Sequence, residues 1–88
     1  MSSSVEFEND RVRVLRVKHT ARARQPQSSR RDRVIIYLSD GHITRVENAK
    51  KEEVRHKAGD VVWRNRSEHQ IENLSDANHE VVIVELKQ

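Results

Sequence analysis

The chain has 88 residues, of which 34% are hydrophobic and 35% are charged, with a net charge of +3 and no cysteine. A chain of this length forms one domain with a thin core, and the lack of cysteine excludes a disulfide scaffold, a thiolate zinc site and a cysteine nucleophile. Its apolar runs are far shorter than the roughly 20 residues of a membrane-spanning helix. No apolar signal region follows Met1-Ser2-Ser3-Ser4, so we expect a cytoplasmic protein with no membrane partner.

Basic residues are concentrated in the first third of the chain. Nine Lys or Arg and a single acid, Asp32, lie between Arg11 and Arg33, whereas five acids and one lysine follow from Ser67 onward. The basic stretch is either a patch that attracts anions or a set of solvated arginines that alternate with valines, and the second interpretation is favoured. Three aromatic residues are too few for a base-stacking surface, so we do not expect a nucleic-acid partner.

Apolar and polar residues alternate with period two along much of the chain, and no helical period is found. Residues 1–8 are expected to form a flexible or swapped N-terminal segment, and residues 20–32, with the only proline, a loop. The predicted strands are 11–14, 34–38, 42–46, 53–57, 61–63, 69–74 and 79–86, with turns at 39–41, 58–60 and 75–78 and a hairpin tip at 48–52. Seven or eight strands at this spacing predict one all-β domain over residues 1–88, a sandwich or a barrel of antiparallel strands.

Two predicted strands are apolar on both faces. Residues 34–38 and 81–86 carry apolar side chains at almost every position, with Glu85 as the exception. A small barrel covers only the inward face of a strand, so the outward side chains need a second layer. We therefore expect a homodimer.

Two segments of the chain carry a family resemblance. Residues 26–41, PQSSRRDRVIIYLSDG, and residues 58–73, AGDVVWRNRSEHQIEN, resemble the two sequence motifs of the cupin superfamily, and the closing NLSDANHEVVIVEL is similar as well. The resemblance extends from Asn9 to Leu86 and is strongest to small single-domain bacterial cupins. It implies a double-stranded β-helix, a short barrel or jelly-roll-like sandwich of two facing antiparallel sheets, which often dimerises.

The resemblance also bears on a metal site, because cupins commonly hold a metal ion inside the barrel. The family has two histidines one residue apart, often with a glutamate, in the first motif and a further histidine in the second. Here His69 and Asn73 match the second motif, whereas Ser28 and Arg30 stand where the two histidines would be, and Val34 near the glutamate position. An arginine repels a cation and a serine binds it weakly, so we expect no metal cofactor, with His69 the only candidate ligand.

These positions define the predicted ligand pocket: His69, Arg30, Ser28, Asn73 and Trp63. We favour a wall position for His69 over a role as ligand or general base, and Arg30 either anchors an anion inside the barrel or lies on a mobile loop. Trp63 is assigned to the core or the rim, and Asn73 either caps a turn or lines the pocket. The other histidines lie among polar residues and are predicted at the surface: His19, His42, His56 and His79. No catalytic constellation is found.

Three functions stay open at this point. The favoured one is a metal-free cupin-like barrel that binds a small, anionic metabolite near Ser28, Arg30 and His69. The second is a metal-dependent enzyme of the dioxygenase or isomerase type that uses His69. The third is a basic interaction protein that acts through residues 11–33, and a structural role without any ligand is a further alternative.

Overall fold

The computed structural model describes residues 2–47 and 49–87, with residues 2 and 25–28 described through their backbone alone. Within these ranges the chain forms nine β-strands. The strands are β1 (Ser2–Glu8), β2 (Val12–His19), β3 (Arg24–Arg30), β4 (Arg33–Tyr37), β5 (Gly41–Glu47), β6 (Lys50–His56), β7 (Val61–Arg64), β8 (Ser67–Asn73) and β9 (His79–Leu86). No helix that is long and apolar enough to span a membrane is found in the described part of the chain.

All strand pairs are antiparallel, and they form two sheets. The five-stranded sheet has the order β1-β2-β9-β4-β7, and the four-stranded sheet has the order β3-β8-β5-β6. From β2 onward the chain passes from one sheet to the other at almost every connection, with the β5–β6 hairpin as the exception. The predicted all-β architecture of facing antiparallel sheets is confirmed.

Two predicted segments differ from the structure. Residues 24–30 form β3, so the prediction of a loop over 20–32 is wrong for most of that segment. The sequence of this segment is polar and does not alternate. Its backbone nevertheless pairs with β8, and backbone hydrogen bonds form between strands independently of the side chains. The predicted hairpin tip at 48–52 includes Asn48, which lies outside the described residues, and Ala49, whose φ is 62°. Lys50 already begins β6, so the tip is shorter than predicted.

The N-terminal segment lies at an edge of the five-stranded sheet. Residues 2–8 form β1 and pair with β2 of the same copy, with a register shift between Val5 and Phe7. Exchange of this segment between copies stays a prediction.

The interior of the barrel is arranged in layers, because cross-strand partners in the five-stranded sheet point to the same side. In β9 the alternation places His79, Val81, Ile83 and Glu85 inside and the residues between them outside. The strand registers then order the inward residues from one end to the other. The layers are Glu85 with Arg33 and Arg64; Ile83 with Leu15, Ile35 and Val62; Val81 with Val17 and Tyr37; and His79 with His19.

Apolar side chains therefore occupy only the middle of the barrel. The buried hydrophobic residues are Leu15, Val17, Ile35, Tyr37, Ile43, Val81 and Ile83. Burial of one such side chain contributes about 1.5–3 kcal/mol. Charged and polar side chains close both ends of this apolar layer, and these ends carry the chemistry of the molecule.

Candidate functional site

Two arginines lie inside the barrel because their strands place them on the inward face. Arg33 begins β4, in which Arg33, Ile35 and Tyr37 are buried and the residues between them are less so. Arg45 follows the buried Ile43 by two positions in β5, so both point into the barrel. Arg33 is 1% exposed and Arg45 is 2% exposed. Such burial is rare for arginine unless the guanidinium is paired.

Neither guanidinium is satisfied by the hydrogen bonds that the structure provides. Arg33 Nη1 donates to the backbone carbonyls of Arg31 and Asn65, each at 3.2 Å, but its Nη2 has no partner. Arg45 has no partner at Nε or at Nη1. A buried donor without an acceptor costs about 1–3 kcal/mol, and more when the group is charged. With Arg64 Nε, these unpaired donors outnumber the unpaired acceptor at the same end of the barrel, Glu85 Oε1.

Positive charge is in excess at this end of the barrel. Arg30 and Arg64 lie near Arg33, and among residues 2–47 and 49–87 the one buried carboxylate is that of Glu85. Arg30 Nη1 lies 3.6 Å from Glu85 Oε1, an ion pair longer than a hydrogen bond. Burial, together with Arg45 and the other guanidiniums, lowers the pKa of Arg33 to about 10. The group stays protonated at neutral pH, so the excess charge persists. We call Arg30, Arg33, Arg45, Arg64, Glu85 and His69 the arginine end.

His69 lies at the same end, on β8. It is 3% exposed, and its Nδ1 lies 3.3 Å from the Ser67 hydroxyl oxygen. Burial, and then the nearby guanidiniums of which Arg33 and Arg45 contribute most, lowers the pKa of His69 to about 4. The imidazole is therefore neutral at pH 7, and its ring can accept or donate a hydrogen bond without adding charge.

The donor set around His69 does not fit a divalent metal. Among the residues that the structure describes, no group of three His, Asp or Glu side chains is placed to hold a metal ion. The groups that most affect His69 are guanidiniums, which repel a cation and offer no lone pair. The described side chains around His69 therefore do not form a set of ligands for a divalent metal.

A small cavity of about 30 Å³ lies inside the barrel. That volume accommodates one or two water molecules. Arg30 and His69, two of the predicted pocket residues, line it together with Arg33 and Arg45. The rest of its wall is mostly apolar and comes from both sheets: Val17, Ile35, Tyr37, Ile43, Ile71, Val81 and Ile83, with His19 and His79 at the far end.

The other predicted pocket residues lie elsewhere or are not described. Ser28 pairs with His69 through the backbone of β3 and β8, but its side chain lies outside the described part. Trp63 is 51% exposed, and its Nε1–H donates to Asn65 Oδ1 at 2.8 Å on the outer side of the five-stranded sheet. Neither Trp63 nor Asn73 lines the cavity.

Asn73 caps a turn, which is one of the two roles that the sequence left open; the other was a position in the wall of the pocket. Its Nδ2 donates to the carbonyls of His19, Thr20 and Ala77 at 3.0–3.3 Å, and its Oδ1 accepts from Ser75 N at 3.0 Å. The side chain is completely buried. Asn73 therefore joins the end of β2 to the turn before β9, as a cap and not as a ligand contact.

Histidines close the opposite end of the barrel, where the sequence predicted surface positions. His19, His56 and His79 are 4%, 7% and 2% exposed, so that prediction is wrong for these three. The His56 ring stacks on Tyr37 with centroids 3.8 Å apart and lies 4.4 Å from His79. Burial is the main cause that lowers the pKa of each, to about 4 for His19 and His79. His42 is partly exposed, with Nε2 2.8 Å from Glu53 Oε1.

The sequence contained a signal for the two central arginines and for the buried histidines. Arg33 has the parity of Ile35 and Tyr37 within one alternating strand, and Arg45 has the parity of Ile43. The same rule places His19 with Val17 and His79 with Val81. The alternation of these strands thus predicts inward positions, whereas the polarity of the side chains alone predicts surface positions.

No protein-family model and no curated protein matches the sequence of the chain, but solved structures resemble its fold. A cupin domain from Bordetella pertussis Tohama I superposes with a TM-score of 0.93 at 20% identity, over 99% of this chain and 93% of that one. An RmlC-like cupin family protein from Methanocaldococcus jannaschii gives 0.72 at 17% identity, over 97% and 80%. A cupin superfamily protein from Desulfitobacterium hafniense DCB-2 gives 0.72 at 12% identity, over 99% and 77%. The chain therefore has the cupin fold, a double-stranded β-helix, as the resemblance of its sequence motifs implied.

Proposed function

We propose that this protein is a binding barrel for a small anion, which Arg33 and Arg45 hold through a carboxylate or phosphate group. The observation that carries the proposal is the pair of buried guanidiniums with three nitrogens that lack any acceptor. The sequence favoured an anionic metabolite near Ser28, Arg30 and His69, and the arginine end adds two deeper cations to that set.

An anion is the ligand class that this end of the barrel lacks. Bringing a guanidinium out of water is costly unless acceptors replace the lost hydration. Glu85 supplies one carboxylate against the charges of Arg30, Arg33 and Arg45. A bound carboxylate or phosphate offers two or three oxygens, and its hydrogen bonds to arginine are charge-assisted and correspondingly strong.

The size of the cavity limits what can enter. At about 30 Å³ it has no room for a whole metabolite as the side chains stand. Arg30 is the most exposed of the three arginines that line it, with a side chain that is 16% exposed. In the proposed complex Arg30 and Glu85 separate, the anionic group reaches Arg33 and Arg45, and the remainder of the ligand lies toward Arg30.

The proposal concerns binding, in the cytoplasm, and assigns no reaction. A metal-dependent reaction would need donors beside His69, and guanidiniums stand there instead. Of the nine basic residues from 11 to 33, Arg30 and Arg33 line the interior cavity and the other seven are exposed, so the interior site rests on two members of the basic stretch.

Thermal denaturation with a panel of anions tests the proposal. Acetate, succinate, inorganic phosphate and a sugar phosphate are compared with chloride at equal ionic strength and with a neutral sugar. We expect at least one organic or phosphate anion to raise the Tm in a saturable way, and isothermal titration calorimetry to give one site per chain. Arg33→Met should remove this effect, and the exposed Arg55→Met should retain it. Equal stabilisation of Arg33→Met and Arg55→Met by the same anion would contradict the proposal. So would a wild-type protein whose Tm no anion of the panel raises.

A further inference from the structure

One row of charged side chains crosses the five-stranded sheet at the arginine end. The strand registers place the row in the order Glu8, Arg13, Glu85, Arg33 and Arg64, one residue from each strand. Cross-strand partners point to the same side of a sheet, so the row lies on the face that turns inward. Arg33 and Glu85 are buried, whereas Glu8 and Arg13 are exposed. The row therefore leads from the interior of the barrel to solvent.

A surface recess of about 320 Å³ lies outside the cavity along this row, and we call it the outer recess. Its lining residues are all charged: Glu8, Arg13, Arg31, Glu85 and Lys87. Glu85 Oε1 lies 3.6 Å from Arg30 Nη1, and Arg30 belongs to the wall of the cavity. The backbone carbonyl of Arg31 accepts a hydrogen bond from Arg33 Nη1 at 3.2 Å. The outer recess thus adjoins the cavity, and the Arg30–Glu85 pair lies between the two spaces.

Two guanidiniums of the outer recess form no ion pair within residues 2–47 and 49–87, those of Arg13 and Arg31. The carboxylate of Glu8 is paired with Lys87, and that of Glu85 with Arg30. When Arg30 and Glu85 separate in the proposed complex, one carboxylate is released beside three guanidiniums. Positive charge is therefore in excess in the outer recess as well as in the cavity.

We infer that the ligand of this barrel carries two anionic groups, one held by Arg33 and Arg45 and the other by Arg13 and Arg31 in the outer recess. This inference rests on the proposed function, because the inner group occupies the anion site described above. It adds a second subsite and with it a class of ligand. That class is a short molecule with an acid group at each end, a dicarboxylate or a carboxylic acid that also carries a phosphate or phosphonate.

The charge of the arginine end favours a dianion over a monoanion. Four guanidiniums and the single carboxylate of Glu85 lie there, and His69 is neutral at pH 7. The net charge of this end therefore stays positive after one monoanion has bound. A second negative charge reduces the excess further, and guanidinium groups bind carboxylate and phosphate oxygens through strong, charge-assisted hydrogen bonds.

The sizes of the two spaces determine where each acid group lies. The cavity of about 30 Å³ is too small for two acid groups and the atoms that link them. The outer recess has room for the second group and the linker. Arg13 and Arg33 lie two strands apart in the same row, which separates their backbones by about 10 Å. Because both side chains are long and point to the same side, a linker of a few carbon atoms spans the distance between their guanidiniums.

Matched pairs of ligands test the second anionic group. Succinate, glutarate and 3-phosphonopropionate are each compared with the methyl ester of one carboxylate, which keeps the chain but removes one negative charge. Isothermal titration calorimetry at neutral pH and constant ionic strength gives the Kd of each compound. In at least one pair we expect the diacid to bind at least about fivefold more tightly than its ester, a moderate ratio because the contacts in the outer recess are exposed.

Variants then test whether Arg13 and Arg31 cause this preference. The double variant Arg13→Met/Arg31→Met should remove most of the difference in Kd between the diacid and its ester. Lys51→Met/Arg55→Met is the matched control, because it removes two positive charges from exposed positions of β6, and it should keep the difference. Circular dichroism checks that both double variants are folded.

The outcomes separate this inference from the proposed function. If the esters bind in a way that Arg33→Met abolishes, but no diacid binds more tightly than its ester, the outer subsite is wrong and the inner anion site stands. A preference for the diacid that persists in Arg13→Met/Arg31→Met would also overturn the inference, because the second group would then be held elsewhere. If the wild-type protein binds neither the diacids, nor the esters, nor inorganic phosphate, both the proposed function and this inference fail.

Discussion

Replacement of Arg45 by methionine should stabilise the unliganded protein and abolish its response to anions. Methionine keeps the length and approximate volume of the side chain but removes the charge and the donors. In the wild-type protein the Nε and Nη1 of Arg45 have no acceptor, and the residue is 2% exposed. A group that binds a ligand and is otherwise unsatisfied lowers the stability of the free protein, so the two effects are linked.

The size of the effect follows from the burial of the charge. Exchange of buried ionic groups for apolar side chains of similar volume stabilises proteins by up to about 1–4 kcal/mol. In a domain of 60–100 residues, 1 kcal/mol corresponds to about 4–8 °C in Tm. The Arg45→Met variant should thus gain at least about 4 °C without ligand. The wild-type protein should gain about 2.7 kcal/mol when the anion is at a hundred times its Kd, and the variant should gain nothing.

Differential scanning calorimetry in a buffer without organic or phosphate anions measures the gain in Tm that Arg45→Met causes without ligand. The same measurement with the anion of the panel that raises the Tm most gives the stabilisation by the ligand in each protein. Arg55→Met is the matched control, because it removes one positive charge from an exposed position of β6. Its stability should change by less than about 0.5 kcal/mol. A less stable Arg45→Met variant would mean that Arg45 is already satisfied in the free protein, and this would refute the reasoning.

Other predictions concern the polar groups that organise the barrel. Asn73→Ala should lower the free energy of unfolding by about 2–4 kcal/mol, measured by urea titration, because several backbone groups lose their partner. Gly41→Ala should cost about 1–3 kcal/mol, since a Cβ there would lie 2.7 Å from His79 Nδ1 and 2.8 Å from His56 Nε2. Gly59→Ala, with open space but a φ of 92°, should show strain alone and cost less. Acidification should destabilise the protein because three buried histidines, His19, His69 and His79, have pKa values of about 4 in the folded state. The pKa of a histidine in the unfolded chain is about 6.5. The unfolded chain binds more protons in that window, so stability is full above pH 6.5 and falls by roughly 2 kcal/mol per histidine between pH 7 and pH 5, less where the histidines interact. A flat pH profile in denaturant titrations would contradict this.

The fold could be predicted because most strands carry an alternating or apolar pattern within their own few residues. Strands β4 and β9 alternate or run apolar in the sequence, and the structure has them at 33–37 and 79–86, close to the predicted bounds. Strand β3 was missed because its residues, RQPQSSR, carry no apolar signal, and its formation depends on pairing with β8. Backbone pairing between distant segments leaves no mark in a short window of sequence.

The candidate site was predictable only in part. Alignment of the motifs identified Arg30 and His69, which do line the cavity. It also suggested Trp63, which points outward because its neighbour in β7, Val62, packs on the core. Arg33 and Arg45 were not identified, because a charged residue at an inward position contradicts the usual preference for burial. That contradiction is informative, since residues that break a local rule without a partner are the ones expected at a binding site.

The proposed anion site has its physical origin in the composition of the chain. Arginines and histidines take inward positions at the two ends of the barrel. Without a ligand, the guanidiniums of Arg33 and Arg45 keep buried donors that have no acceptor, and a bound anion would supply acceptors for them. Strand β4 carries Arg33 and is paired with β7 and β9 on either side, so we expect its backbone to stay in place when an anion binds.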